Sequence, residues 1–169
     1  MYKMQFLIFI SLISLLSFAY GEETLCNPDE IKSFSCSIKS NRKTTKIVSL
    51  CASKNLSETE GSIFYRFGTK QHIELNYPEM PMHPKKWLVH GLMNFSDASG
   101  DFFRFERGEF SYTVYSWAKA PINTDGEGVT VRKNGEIVAE LVCAIAARSS
   151  TDWSAFAKAK LPIIFDNEP

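Results

Sequence analysis

The clearest alternation of apolar and polar positions lies in residues 128–143, GVTVRKNGEIVAELVC. Two alternating runs flank Asn134-Gly135, which is the pattern of a β-hairpin. Parity bears on the turn. A two-residue loop places Val131 on the face of Glu136, Val138 and Glu140. A three-residue loop, Lys133-Asn134-Gly135 with Gly135 in a bulge, pairs Arg132 with Glu136. Val129 and Val131 then share a face with Ile137, Ala139, Leu141 and Cys143. A slip of one residue would turn the whole set inside out, so the three-residue loop is expected. The strand ends on an inward cysteine that ties it to an earlier part of the chain.

Similar alternation recurs upstream. Residues 33–38 set Phe34, Cys36 and Ile38 against Ser33, Ser35 and Ser37, and residues 46–52 supply a second strand beyond a polar loop. Residues 63–67 and 72–77 form a hairpin across Gly68-Thr69-Lys70. Residues 78–86 hold three prolines and cannot be a central strand. Residues 87–95 read as a buried strand bent at Gly91, and 96–100 as a turn. Residues 102–106 and 109–117 flank Arg107-Gly108, pairing Phe105 with Phe110 and Phe103 with Tyr112. Phe103, Phe105, Phe110, Tyr112 and Val114 then form one aromatic face. Residues 119–127 read as a long loop. Residues 151–160 suit a short helix capped by Thr151 or Asp152, and the tail after Pro162 is extended and able to pair with an edge. These spacings predict an all-β domain, an antiparallel barrel or sandwich of about eight strands with a short C-terminal helix.

The first 21 residues stand apart. Lys3 precedes a thirteen-residue apolar run, residues 6–18, too short for a membrane span, and Ala19-Tyr20-Gly21 offers small residues for cleavage. The expected organisation is a signal peptide, 1–21, followed by one secreted β domain, 22–169; an uncleaved anchor is the alternative. Past the leader, 18 basic residues face 19 acidic ones. A near-neutral domain is not a nucleic-acid binder, and no later run is long enough to span a bilayer. Four cysteines in an exported chain imply two disulfides. The preferred pairing is Cys36–Cys143, first strand to last, with Cys26–Cys51; the competing one is Cys36–Cys51 within the first hairpin. The periplasm or the extracellular space is the expected location.

Catalytic, metal and cofactor sites are not called for by any motif. The cysteines lack C-x-x-C spacing or a neighbouring histidine pair. His72, His83 and His90 are scattered. Met80, Met82 and His83 offer soft ligands that would suit a metal or small-ligand carrier. Glu106 and Glu109 flank a turn and would face each other across it, the arrangement a secreted hydrolase would use for acid–base work. Asn55-Leu56-Ser57 and Asn94-Phe95-Ser96 are glycosylation sequons. The chain carries 13 Phe, 6 Tyr and 3 Trp, more than one aromatic face needs. Tyr115 and Trp117 are left on the side opposite Tyr112 and Val114. Either they are exposed binding anchors, or a second sheet or the C-terminal segment covers them.

The succession FSCSIK, KIVSLCAS, YRFG, IELNYP and VRKNGEIVAELVC resembles small disulfide-containing β proteins secreted or held in the periplasm by Gram-negative bacteria. More loosely, the chain is similar to periplasmic lysozyme inhibitors, which insert a loop of the form A-S-G-x-R-Y into the lysozyme cleft. Residues 98–104 read Ala-Ser-Gly-Asp-Phe-Phe-Arg, with Ser99 matching, Phe102 or Phe103 at the tyrosine position and Arg104 falling late. The resemblance implies a non-enzymatic binding domain with a protein partner, lysozyme or another secreted hydrolase. Ser99, Asp101 and Arg104 would make its polar contacts, with Tyr115 and Trp117 as aromatic anchors.

Overall fold

The computed structural model describes residues 23–38, 45–96, 98–119, 124–144 and 153–165. The leader and most of the loop 39–45 lie outside the described residues, as do Thr151 and Asp152; the helix begins at Ser154 with Trp153 at its N-cap, so neither of those two residues is the cap. Within them the chain forms β1 (Glu30–Ser37), β2 (Ile47–Ser53), β3 (Ile63–Gly68), β4 (Ile73–Tyr77), β5 (Leu88–Asn94), β6 (Ala98–Arg107), β7 (Phe110–Lys119), β8 (Thr124–Lys133), β9 (Glu136–Val142), α1 (Ser154–Ala159) and β10 (Ile163–Phe165). The strands build a four-stranded sheet, β1-β2-β3-β4, and a six-stranded sheet, β10-β5-β6-β7-β8-β9. Sequential neighbours pair antiparallel, whereas β10 returns parallel to β5. The architecture is an all-β sandwich with one short helix near its C-terminal end.

Period-two alternation explains the core. Phe34 and Cys36 of β1, Val48 and Leu50 of β2 and Tyr65 of β3 meet Leu88, Phe103, Phe105, Val114 and Val129 of the larger sheet, all buried. One edge of the sandwich is clasped. Ile38 bridges Cys143, the Ala144 N–H donates to the Ser37 carbonyl at 2.8 Å, and a disulfide joins Cys36 to Cys143. The second disulfide joins Cys26 to Cys51. Both are the preferred pairings.

The outer face of the smaller sheet carries a polar row, Ser35–Ser49–Arg66–Asn76. Its first three members are nevertheless buried. Residues 23–27 lie across them and satisfy them. The Leu25 N–H donates to Ser49 Oγ at 3.0 Å, Ser35 Oγ donates to the Glu23 carbonyl at 2.8 Å, and Arg66 Nη1 donates to the Leu25 carbonyl at 3.1 Å. Buried polar groups need such partners, and Cys26–Cys51 pins this strap in place. Arg66 also makes a two-pronged contact with Glu30, at 2.5 and 2.8 Å.

Burial alone would raise the Glu30 carboxyl. Hydrogen bonds from Arg66 and the Asn27 N–H, together with the Arg66 charge, outweigh it and hold the group below its ordinary 4.5. A carboxylate depressed on folding stabilises the fold above its unfolded value, and that contribution disappears as pH falls through the folded one. The urea midpoint should therefore drop below about pH 4.5, and drop less steeply in Glu30→Gln. Parallel acid profiles for the two proteins would discount the pair.

Three local expectations are corrected. In the β8–β9 hairpin, Lys133 pairs with Glu136, so the loop is the two-residue Asn134-Gly135, with φ of 51° and 87°. That is the type I′ turn Asn-Gly favours. Parity is restored further on: Arg132 pairs with Ile137 and Val131 with Ala139, leaving Val138 as a bulge. Val129, Val131, Ala139 and Leu141 face inward as expected, but Ile137 is 49% exposed. In the β6–β7 hairpin the turn is Gly108-Glu109, with Arg107 opposite Phe110. Gly108 has φ 61°, the first position of a type II′ turn. Phe105 thus pairs with Tyr112 and Phe103 with Val114; the two-residue slip keeps the aromatic face intact. Finally, the turn at 96–100 and the loop at 119–127 are largely strand, because β6 starts at Ala98, β7 ends at Lys119 and β8 starts at Thr124.

Candidate functional site

The long central strands create the site. β6, β7 and β8 each run ten residues, against five to eight in the smaller sheet. Along the inner face, Phe105 and Phe103 of β6 give way to Asp101 and Ser99, and Tyr112 and Val114 of β7 to Ser116 and Ala118. The helix segment packs where this change begins: Phe103 lies 4.1 Å from Phe156 and 4.8 Å from Trp153, centroid to centroid. Beyond it opens a cleft of about 590 Å³, lined by Leu92, Asn94, Ser99, Asp101, Ser116, Ala118, Trp153 and Phe165 among others. None of its lining residues comes from the smaller sheet.

The walls are aromatic and the floor is polar. Phe165, beside Leu92 in the parallel β10–β5 pair, is 82% exposed. Asp101 Oδ1 lies 2.6 Å from His90 Nε2, and the imidazole stacks on Phe103 at 4.8 Å. Ser116 Oγ donates to Glu127 Oε1 at 3.1 Å. The cleft thus offers carboxylates, hydroxyls and ring faces at one open end of the fold. This mixture holds peptide or small polar groups in place.

Ser99 and Asp101 line this cleft, as their inward parity requires. Ser99 is not on a protruding loop; it sits in β6 between Asn94 of β5 and Ala118 of β7. Arg104, Tyr115 and Trp117 point by parity to the opposite face of the same sheet; Trp117 nevertheless lines the cleft together with Ser99 and Asp101, whereas Arg104 and Tyr115 do not. Arg104 donates from Nε to Thr113 Oγ1 at 3.0 Å and covers the Phe102 ring at 4.8 Å. Tyr115 and Trp117 are half-buried, and among the described residues no second sheet covers them. Each ring reclines on a glycine of β8: a Cβ on Gly126 would stand 2.4 Å from the Trp117 indole, and one on Gly128 2.7 Å from the Tyr115 hydroxyl. Burial first, and then the Glu140 carboxylate, push the Tyr115 phenol above its ordinary value, so it stays protonated at neutral pH.

The other candidates are used structurally. His83 Nδ1 accepts the Lys85 N–H at 3.4 Å, and Nε2 lies 3.1 Å from the Ser57 carbonyl, so both ring nitrogens are engaged beside the exposed Met80 and Met82. Glu106 pairs across to Ser111, while Glu109 sits in the turn with Lys133 Nζ 3.5 Å away; the two carboxylates are not cross-strand partners. All four cysteines are in disulfides. Among the described residues, no helix is long and apolar enough to cross a membrane.

Ser116, Trp153 and Phe165 escaped the sequence reading, which weighed His90 only as one of three scattered histidines. Ser116 had a usable signal, a polar residue at the inward parity of a strand carrying Tyr112 and Val114. Trp153 and Phe165 had none, since only tertiary packing brings them to the cleft. Comparisons with family models, with curated proteins and with solved structures find no match.

Proposed function

We propose that the chain is a non-enzymatic binding domain of an oxidising compartment, periplasmic or extracellular, whose cleft receives a protruding segment of a protein partner. The observation that carries this reading is the open cleft itself, which Asp101 and Ser116 line together with Trp153 and Phe165. The two disulfides support the compartment. A binding role suits the way polar groups at the cleft are used: His90 contacts Asp101, and Ser116 donates to Glu127. Neither contact is the serine–histidine pair that nucleophilic catalysis needs. Lysozyme, a basic secreted hydrolase, is the most concrete partner. Recognition would run opposite to that of the periplasmic inhibitors, with this chain supplying the receptacle and the partner the inserted element.

The mature domain should slow at least one of several lysozyme types at micromolar concentration. Asp101→Asn should weaken that effect about ten-fold, the scale of a lost charge-assisted hydrogen bond. Tyr115→Phe, on the far side of the sheet, should leave it unchanged. Full activity of every lysozyme tested rejects this partner. Sensitivity to Tyr115→Phe with indifference to Asp101→Asn rejects the cleft.

A further inference from the structure

We propose that a second, smaller cleft, on the edge of the sandwich away from the Cys36–Cys143 clasp, binds an organic anion with an apolar body. It measures about 380 Å³ and lies where β4 approaches β5 and β6. Tyr77, Trp87 and Phe105 line it with ring surfaces, and Leu88 and Val89 add aliphatic ones. Tyr77 stacks on Phe105 at 5.0 Å, and the Trp87 indole stands edge-on to both, at 5.2 and 5.3 Å. This packing leaves the indole Nε1–H buried with no hydrogen-bond partner among the described residues. A buried donor without an acceptor is uncommon, and its cost is relieved by a ligand or water that accepts from it.

The charge around the cleft is of one dominant sign. Lys85, Lys86 and Arg104 line it, against the single carboxylate Glu106. Lys85 is partnered by Glu58 at 3.4 Å, and Arg104 is held by Thr113 and Phe102. Lys86 is exposed and has no ion-pair partner among the described residues. Nε1 is closed off in the free protein, so the acid group of the ligand reaches it as the indole shifts toward the cleft; it then accepts from the Nε1–H and faces the Lys86 ammonium, while its apolar body lies along the half-buried Tyr77. A bare inorganic anion would leave the ring surfaces unused, and a neutral apolar molecule would leave Lys86 unused.

Trp87, Trp117 and Trp153 are the three tryptophans, so the protein has three indole N–H signals in a nitrogen-15 correlation spectrum, and Trp87→Phe identifies one of them. Titration with octanoate should move the Trp87 signal and leave the other two in place. Octanamide and inorganic phosphate, at the same concentrations, should leave all three in place. Lys86→Gln, a surface change that does not threaten folding, should weaken octanoate binding about five-fold. A Trp87 signal unmoved by millimolar octanoate overturns the proposal. So does equal movement with octanamide, which marks a plain apolar crevice, or with phosphate, which marks a simple anion site. Unchanged affinity in Lys86→Gln overturns it as well.

Discussion

Replacing Cys36 and Cys143 together by alanine is expected to lower the free energy of unfolding by about 4–5 kcal/mol, because that disulfide closes a ring on the order of 100 residues. Its cysteines are 107 positions apart, against 25 for Cys26 and Cys51. In the chain-entropy account the shorter ring contributes only about 3.5 kcal/mol. The long bridge also spans a joint between the sheets, where Ile38 meets Cys143 and Ala144 reaches Ser37. Its loss therefore loosens a contact as well as freeing the unfolded chain. Urea unfolding of the two double-alanine proteins measures both effects. A larger loss from the Cys26/Cys51 pair would mean that the strap, rather than the clasp, holds the sandwich together. Domains of this size have about 5–15 kcal/mol in total, so the clasp-less protein should be partly unfolded at body temperature.

The second large effect is expected at Phe105. Its ring is the hub of the aromatic cluster, with Tyr65, Tyr77, Trp87 and Tyr112 between 4.9 and 5.3 Å from it, centroid to centroid. Phe105→Ala removes a buried ring whose neighbours belong to both sheets and cannot all close in. Such a cavity costs about 3–5 kcal/mol. Phe165→Ala, a change at an exposed ring, is the matched control, with an expected loss below about 0.5 kcal/mol. Similar urea midpoints for the two variants would show that the cluster repacks without its hub.

Where side chains alternate in kind along a strand, the chain announces its fold, even though the outward Ser35 and Phe102 are buried as well. Phe34, Cys36 and Ile38 alternate with serines, and Phe103 and Phe105 alternate with Phe102 and Arg104, so the inward faces of β1 and β6 are plain from spacing. The same rule hides the ends of β6, β7 and β8. There the hydrogen-bond ladder continues, but the inward residues are Ser99, Asp101, Ser116 and Glu127. Without apolar alternation, a strand looks like a turn or a loop. The part of the sheet that builds the cleft is thus the part whose pattern breaks down. The Asn134-Gly135 hairpin teaches a different lesson. Local turn preference and facial parity conflict there, and the chain satisfies both by placing a bulge at Val138. The division of Asp101 from Tyr115 follows from parity alone, since they lie on opposite faces of paired strands.

The larger cleft draws its floor from β5, β6 and β7 and its walls from Trp153 and Phe165, which come last in chain order. A chain delivered from its first residue onward lays down the floor first and the walls afterwards. A chain interrupted after β9 would keep β1 to β9 but lack α1 and β10, leaving that floor a bare shelf.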